Sequence, residues 1–203
     1  MLVTGAMGQR SARGRPVVTT HGEIERAAFA LFARRGFAGT TMAEIAREVG
    51  VGTRTLFRYY ASKNDIPWGQ FDQTLSNFRL ILDAQPTDIP VHEAVHRAVV
   101  EFNRFPADSQ PSHRERMRLI LTTPELQAHS VLKYAEWRQV IAEYVGRRLD
   151  VEAENWIPIA AGHVSLALAL TAYEQWLDDP DADIVDAVAQ SMESLKGYLG
   201  TGP

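Results

Sequence analysis

The residues best suited to chemistry lie in TMAEIAREVGVGTRTLFRYYASK, residues 41–63. Hydroxyls (Thr53, Thr55), guanidinium groups (Arg54, Arg58) and an aromatic ring (Phe57) surround the apolar position Leu56. Such a set can hydrogen-bond to base edges and phosphates of a nucleic acid and pack on thymine methyls. A second constellation, His92-Glu93-Ala94-Val95-His96, matches H-E-x-x-H. That spacing puts two histidines on one helix face and leaves a glutamate able to act as base at a zinc ion. Catalytic zinc needs a third protein ligand. The following RAVVEFNRF lacks the downstream glycine and histidine of metzincins, and Glu115 is a conceivable distant ligand with no supporting motif. A zinc-dependent hydrolase is therefore the minor alternative. The other histidines form no triad, and the chain has no nucleophile elbow, G-x-G-x-x-G or P-loop. It reads as a sensor rather than an enzyme, with no cofactor and no metal expected.

The elements that must position the first set read as helix, turn and helix. Thr41 and Glu44 form the S/T-x-x-E signature of a capping box. Met42, Ile45, Ala46 and Val49 follow at the i, i+3, i+4, i+7 of a buried stripe. Gly50 suits the left-handed residue that stops a helix. A second short helix then buries Leu56 and Tyr60 and presents Thr53, Arg54, Thr55, Phe57 and Arg58 outward, the arrangement of a recognition helix in a major groove. Before it, a helix from about His21 to Arg35 buries Ile24, Ala27, Ala28, Leu31 and Phe32, with two arginines at the negative end of its dipole.

This segment, with HGEIERAAFALFARRGFAGTT ahead of it, resembles the DNA-binding domain of the TetR family of transcriptional regulators over roughly residues 20–66. Further on, NDIPWGQFDQTL and RMRLILTTPELQAHSVLKYAEWRQVIAEYV are similar to regulators encoded beside mycofactocin biosynthesis genes. The resemblance implies an all-α homodimer with an N-terminal helix-turn-helix and a C-terminal helical domain for effector binding and dimerisation. Tyr59 and Lys63 match family positions that clamp the DNA backbone, and Thr41, at a helix N-terminus, can offer its hydroxyl to a phosphate. Thr53, Arg54 and Phe57 match positions that face base edges. Three departures forbid copying a relative's base preferences: Gly52 stands where serine is common, Arg54 where a small residue is common, and Phe57 where tyrosine is common. Phe57 either meets thymine methyls or packs inward.

Charge divides along the chain in the same sense. Residues 1–63 carry ten Lys/Arg and four Asp/Glu, a net +6, and residues 64–203 carry eleven and twenty-one, a net −10, which together give the chain's −4. The basic end concentrates near phosphate while the acidic body avoids it. Residues 1–19 are expected to form a flexible basic arm in which Arg13-Gly14-Arg15-Pro16 enters an A·T-rich minor groove, serves general phosphate attraction or is a disordered leader. No cysteine is present, which fits a reducing cytoplasm. No signal-peptide pattern opens the chain, and the apolar stretch around residues 157–173 falls short of a membrane span, so no membrane partner is expected.

Residues 67–203 read as the effector-binding and dimerisation domain. Helices are expected from about Asp65 to Asp83, with Pro67 in the first turn, and then at about 91–105, 112–122, 124–149, 155–178 and 183–199, about nine in all. The first of these links reader to sensor. A pocket among them has Phe71, Leu75, Phe78, Val99, Phe102, Met117, Leu121, Tyr134, Trp137 and His163 as candidate lining, each of which also reads as ordinary core. The last two helices offer small and branched faces, Ala161, Val164 and Leu168 with Val185, Val188 and Met192, suited to a four-helix bundle across a twofold axis or to the monomer's own core. A dimer implies a palindromic operator, and the resemblance implies a hydrophobic effector, an acyl-CoA being favoured.

Overall fold

A computed structural model describes residues 19–106 and 108–200, and the described residues are all-helical with no strand. The basic arm, with Arg13 and Arg15, lies outside them. Nine α-helices follow in order: α1 (His21–Arg35), α2 (Met42–Glu48), α3 (Thr53–Leu56), α4 (Phe71–Asp83), α5 (Val91–Phe102), α6 (His113–Thr122), α7 (Pro124–Leu149), α8 (Trp156–Asp178) and α9 (Ile184–Gly200).

Local chemistry sets the starts. Capping boxes open α1 (Thr20 with Glu23), α2 (Thr41 with Glu44) and α6 (Ser112 with Glu115), each satisfying two otherwise orphaned N–H groups. Pro124 opens α7, where its missing N–H costs nothing. Gly50, at φ +72°, turns the chain between α2 and α3.

The connection expected as one helix from Asp65 is divided. Residues Lys63–Trp68 form a 3-10 segment, and α4 starts only at Phe71. Pro67 sits inside that segment rather than at a helix start. It cannot donate an i→i−4 bond, and it disfavours the α conformation of the preceding residue. Gly69, at φ +60°, then breaks the chain direction in a region that side chains resist. Helix α5 also ends earlier than expected, because the Asn103 amide folds back 2.7 Å onto the Val99 carbonyl.

Two apolar cores result. The first joins Ile24, Ala28, Leu31 and Phe32 of α1, Ile45 and Ala46 of α2, Leu56, Tyr60 and Ile66, and it admits Leu126 from α7. The second gathers Phe71, Leu75, Phe78 and Leu82 of α4 with residues of α5 to α9. Leu126 means that the long α7 touches both.

Candidate nucleic-acid interface and effector cavity

On the first core sits a short outward-facing helix. Arg54 and Arg58 are exposed, Thr53 and Thr55 are half-buried, and the Phe57 ring is 50% exposed rather than packed inward. Leu56, fully buried, anchors α3 from behind. Guanidinium groups, hydroxyls and one aromatic edge therefore share a free surface, with no acidic side chain in α3.

The three residues expected to clamp phosphates have intramolecular work in this state. The Thr41 hydroxyl accepts from Glu44 N–H and donates to the Glu44 carboxylate at 2.9 Å. These cap contacts hold the Glu44 carboxyl below its ordinary range. The Tyr59 hydroxyl donates to the Thr19 carbonyl at 2.6 Å, tying the start of α1 to the end of the motif. The Lys63 ammonium donates to the Phe37 and Thr40 carbonyls at 2.6 and 2.8 Å and lies over the Phe37 ring. Burial there pulls its pKa down. Sequence reasoning placed these side chains by register; the structure adds that their donors stitch together the turn between α1 and α2 and the exit from α3.

Behind α3 lies a polar bridge with no sequence-local signal. Tyr60 donates to Glu25 at 2.5 Å, and Glu25 accepts from Arg116 Nη2 at 2.5 Å. Arg116 Nη1 donates to the Pro67 carbonyl at 2.6 Å. Both charged side chains are largely withdrawn from water, where an ion pair persists only when its remaining groups are also satisfied. Gly69 lies against the pair: a Cβ there would stand 3.4 Å from both Arg116 Nη1 and Glu25 Oε1. One ion pair thus joins α1, the residue that closes the reading motif, the 3-10 segment and α6.

The same pair forms part of the wall of a cavity of about 370 Å³ among α4, α5, α6, α7 and α8. Of the expected lining, Phe71, Phe102, Met117, Tyr134 and Trp137 face it. Leu75, Phe78 and Val99 belong to the surrounding core instead, since α4 and α5 turn those positions toward each other, and Leu121 of α6 packs half-buried against that core. His163 is exposed on the outer side of α8 and is no part of the cavity; a helix apolar on every side gives no phase from which to choose its inner face.

The polar residues of the wall escaped sequence reasoning. His113, at the start of α6, places Nε2 3.0 Å from the Tyr173 hydroxyl, which donates to Asn103 Oδ1. Burial, with Arg116 nearby, lowers the His113 pKa to about 3, so its ring is neutral. Two further donors on wall residues, Trp68 Nε1–H and the Tyr134 hydroxyl, are buried without a hydrogen-bond partner of good geometry. Their rings lie 5.7 Å apart, edge to face. Burial raises the Tyr134 pKa, which keeps its proton in place.

The expected dimer faces divide. Val188 and Met192 are fully buried in the chain's own second core, a correction to their reading as interface. They face inward because α9 packs this side on its own protomer, where Ser191 also donates to the Leu168 carbonyl at 2.7 Å. Leu168, Val185 and Ala161 are half-buried against that core, and Val164 is exposed. Helix α8 adds Trp156 (88% exposed), Ile157 (61%) and Ile159 to the outer side. Where the stretch around residues 157–173 is expected to fall short of a membrane span, the 23-residue α8 is long and apolar enough by length and composition, and 33% of its most apolar window is buried.

At the H-E-x-x-H match, the rings of His92 and His96 are 6.0 Å apart on one face of α5. Glu93 is engaged by Arg97 at 2.5 Å, and Glu115 is committed to capping α6. Among the described residues no group of three or more His, Cys, Asp or Glu is placed to hold a metal ion. Nothing in this arrangement supports the hydrolase alternative.

Comparison with known proteins agrees with this division of labour. Residues 24–66 match the family model described as bacterial regulatory proteins, tetR family, and residues 89–200 match the MftR C-terminal domain. A Mycobacterium tuberculosis protein described as the mycofactocin biosynthesis transcriptional regulator MftR is 41% identical over 95% of this chain and 98% of its own length. Among solved structures, the SmeT–triclosan complex superposes with a TM-score of 0.61 at 17% identity, covering 88% of this chain and 90% of that one. Thermus thermophilus FadR in complex with lauroyl-CoA gives 0.55 at 21%, covering 87% and 93%. These structural likenesses concern the fold.

Proposed function

This chain belongs to the TetR family of transcriptional regulators, and on that premise we propose that it is a repressor released from a palindromic operator when an amphiphile fills its cavity. It is a DNA-binding regulator rather than an enzyme. In this reading residues 1–19 are a basic arm, 20–66 read DNA, and 67–203 bind effector and form a cytoplasmic homodimer through the outer side of α8 together with α9. Thr53, Arg54, Thr55 and Phe57 meet base edges, and Arg58 meets phosphate. Tyr59 and Lys63 hold the motif's shape beside the backbone.

The single observation that carries the reading is the Glu25–Arg116 pair, which belongs to the cavity wall and also grips Tyr60, four residues beyond Leu56. A ligand that shifts α6 or Gly69 must move the brace behind the recognition helix. That is the differential contact a population shift requires. A lauroyl-CoA complex in a fold neighbour supports an acyl-CoA as the first effector to try.

Footprinting on the chain's own upstream region tests this. The expected result is a palindromic footprint that weakens steeply with salt and shrinks on addition of lauroyl-CoA. Arg54→Ala removes about 1–3 kcal/mol of discrimination at one base position in each half-site. Equal retention of operator and scrambled fragments would sink the proposal.

A further inference from the structure

We propose that His113 Nδ1 is a hydrogen-bond acceptor through which the cavity reads a hydroxyl or amide N–H on its effector. The inference rests on the cavity being the effector site and names the chemistry that the site demands.

The polarity of three consecutive hydrogen bonds carries it. Asn103 Nδ2 donates to the Val99 carbonyl at 2.7 Å, which turns Asn103 Oδ1 toward Tyr173. The Tyr173 hydroxyl has one hydrogen and gives it to that oxygen at 2.5 Å. Its contact with His113 Nε2 at 3.0 Å is then a bond in which the imidazole donates. A neutral imidazole has one N–H, so the other ring nitrogen carries a bare lone pair. Burial and the neighbouring Arg116 keep the second proton off. Phe105, stacked on the ring at 3.7 Å between centroids, fixes its plane.

No hydrogen bond engages Nδ1 among the described residues. Unlike Trp68 Nε1 and the Tyr134 hydroxyl, it is not sealed inside protein without a partner. His113 lines the cavity with Phe102, Met117 and Trp137, so the unengaged Nδ1 is the ring atom left to meet a guest there. An ether, ketone or carboxylate oxygen meets this nitrogen lone pair to lone pair and gains nothing. A hydroxyl or amide N–H donates to it. An acyl-CoA satisfies it with an amide of its pantetheine arm, not with its thioester carbonyl.

The test uses the full chain without DNA and two probes that differ by one hydrogen-bond donor, 4-hexylphenol and 4-hexylanisole, titrated by calorimetry. Wild type is expected to bind the phenol roughly five- to tenfold more tightly, the worth of one neutral hydrogen bond. His113→Phe, which keeps the stack on Phe105, removes the preference. Tyr173→Phe narrows it, because the tautomer is no longer imposed. Equal binding of both probes by wild type, no binding of either, or a preference that survives His113→Phe overturns the proposal. A measurement on wild type alone guards against a misfolded variant. In ¹⁵N NMR, the ring assigned through its contacts with Phe105 carries its proton on Nε2 at neutral pH; a proton on Nδ1 refutes the scheme. Failure of operator retention would instead sink the regulator reading and leave the probe contrast standing.

Discussion

The two cores of this chain are built to opposite standards of completeness. In the first, around α1 to α3, polar donors are used inward: Thr41 on Glu44, Tyr59 on Thr19, Lys63 on two carbonyls, Tyr60 on Glu25. The second encloses a cavity of about 370 Å³ and leaves two buried donors, on Trp68 and Tyr134, without a hydrogen-bond partner of good geometry. Buried polar groups without partners are costly and therefore informative. A reading head that must present one surface to DNA is internally satisfied, and a chamber that awaits a guest is not.

The contrast breaks most sharply at its junction. Arg116→Met leaves the largely buried Glu25 carboxyl with only Tyr60 as a partner. A stability loss of about 3 kcal/mol is expected in denaturant unfolding, together with an operator affinity that no longer responds to effector. An unchanged midpoint would show the brace to be ornamental.

Filling comes next. Ala28, fully buried in the first core, has no room to grow, and Ala28→Leu is expected to cost about 1–3 kcal/mol. Ala169 lines the cavity, so Ala169→Leu is expected to leave thermal stability level or raised while abolishing binding of hydrophobic probes. Equal destabilisation by the two changes would erase the distinction between the cores.

Acid separates them in a third way. His113 titrates near 6.5 unfolded and about 3 folded. Below pH 6.5 the unfolded chain takes up a proton that the folded chain refuses, so this residue's share of stability is intact above 6.5 and drains away toward pH 3. The capping carboxylates Glu23 and Glu44 have folded pKa values below 4.5, so their contribution holds down to about that pH and is lost beneath it. All four tryptophans, Trp68, Trp137, Trp156 and Trp176, lie outside the reading motif. Their fluorescence midpoint should therefore begin to fall near pH 6.5, while amide-exchange protection in α1 and α2 holds down to about pH 4.5.

The smallest expected effect is the most pointed. Tyr134→Phe deletes a hydroxyl that has no good partner, so the empty protein should be unchanged or up to about 1 kcal/mol more stable. Loss of stability would mean that the hydroxyl already has a structural role.

Much of the reading head was legible because its signals are local. Thr41 with Glu44, Gly50 and the stripe from Met42 to Val49 lie within ten residues, and the structure follows them closely. Pro67 fits the first turn of a helix equally well on sequence grounds, and only its spacing from Gly69 signals a divided connection. The cavity's polar wall was illegible for a different reason. Glu25 and Arg116 are 91 positions apart, and Tyr173 meets Asn103 across 70. No periodicity announces such partners. His163 escapes because α8 is apolar on every side and periodicity fixes no direction there; Val188 and Met192 share one apolar face with Ile184, and such a face reads alike whether a partner or the chain's own core covers it.

The outer side of α8 has a consequence for gene dosage. Trp156, Ile157 and Val164 stand in water on a lone protomer, so in the proposed homodimer, where a second copy covers them, pairing depends on concentration by mass action. When the protein is scarce, the amount of paired, operator-competent material rises with the square of the number of chains. In the dimeric repressor we propose, halving the supply removes about three-quarters of the operator-competent pairs, a steeper response than any single chain could give.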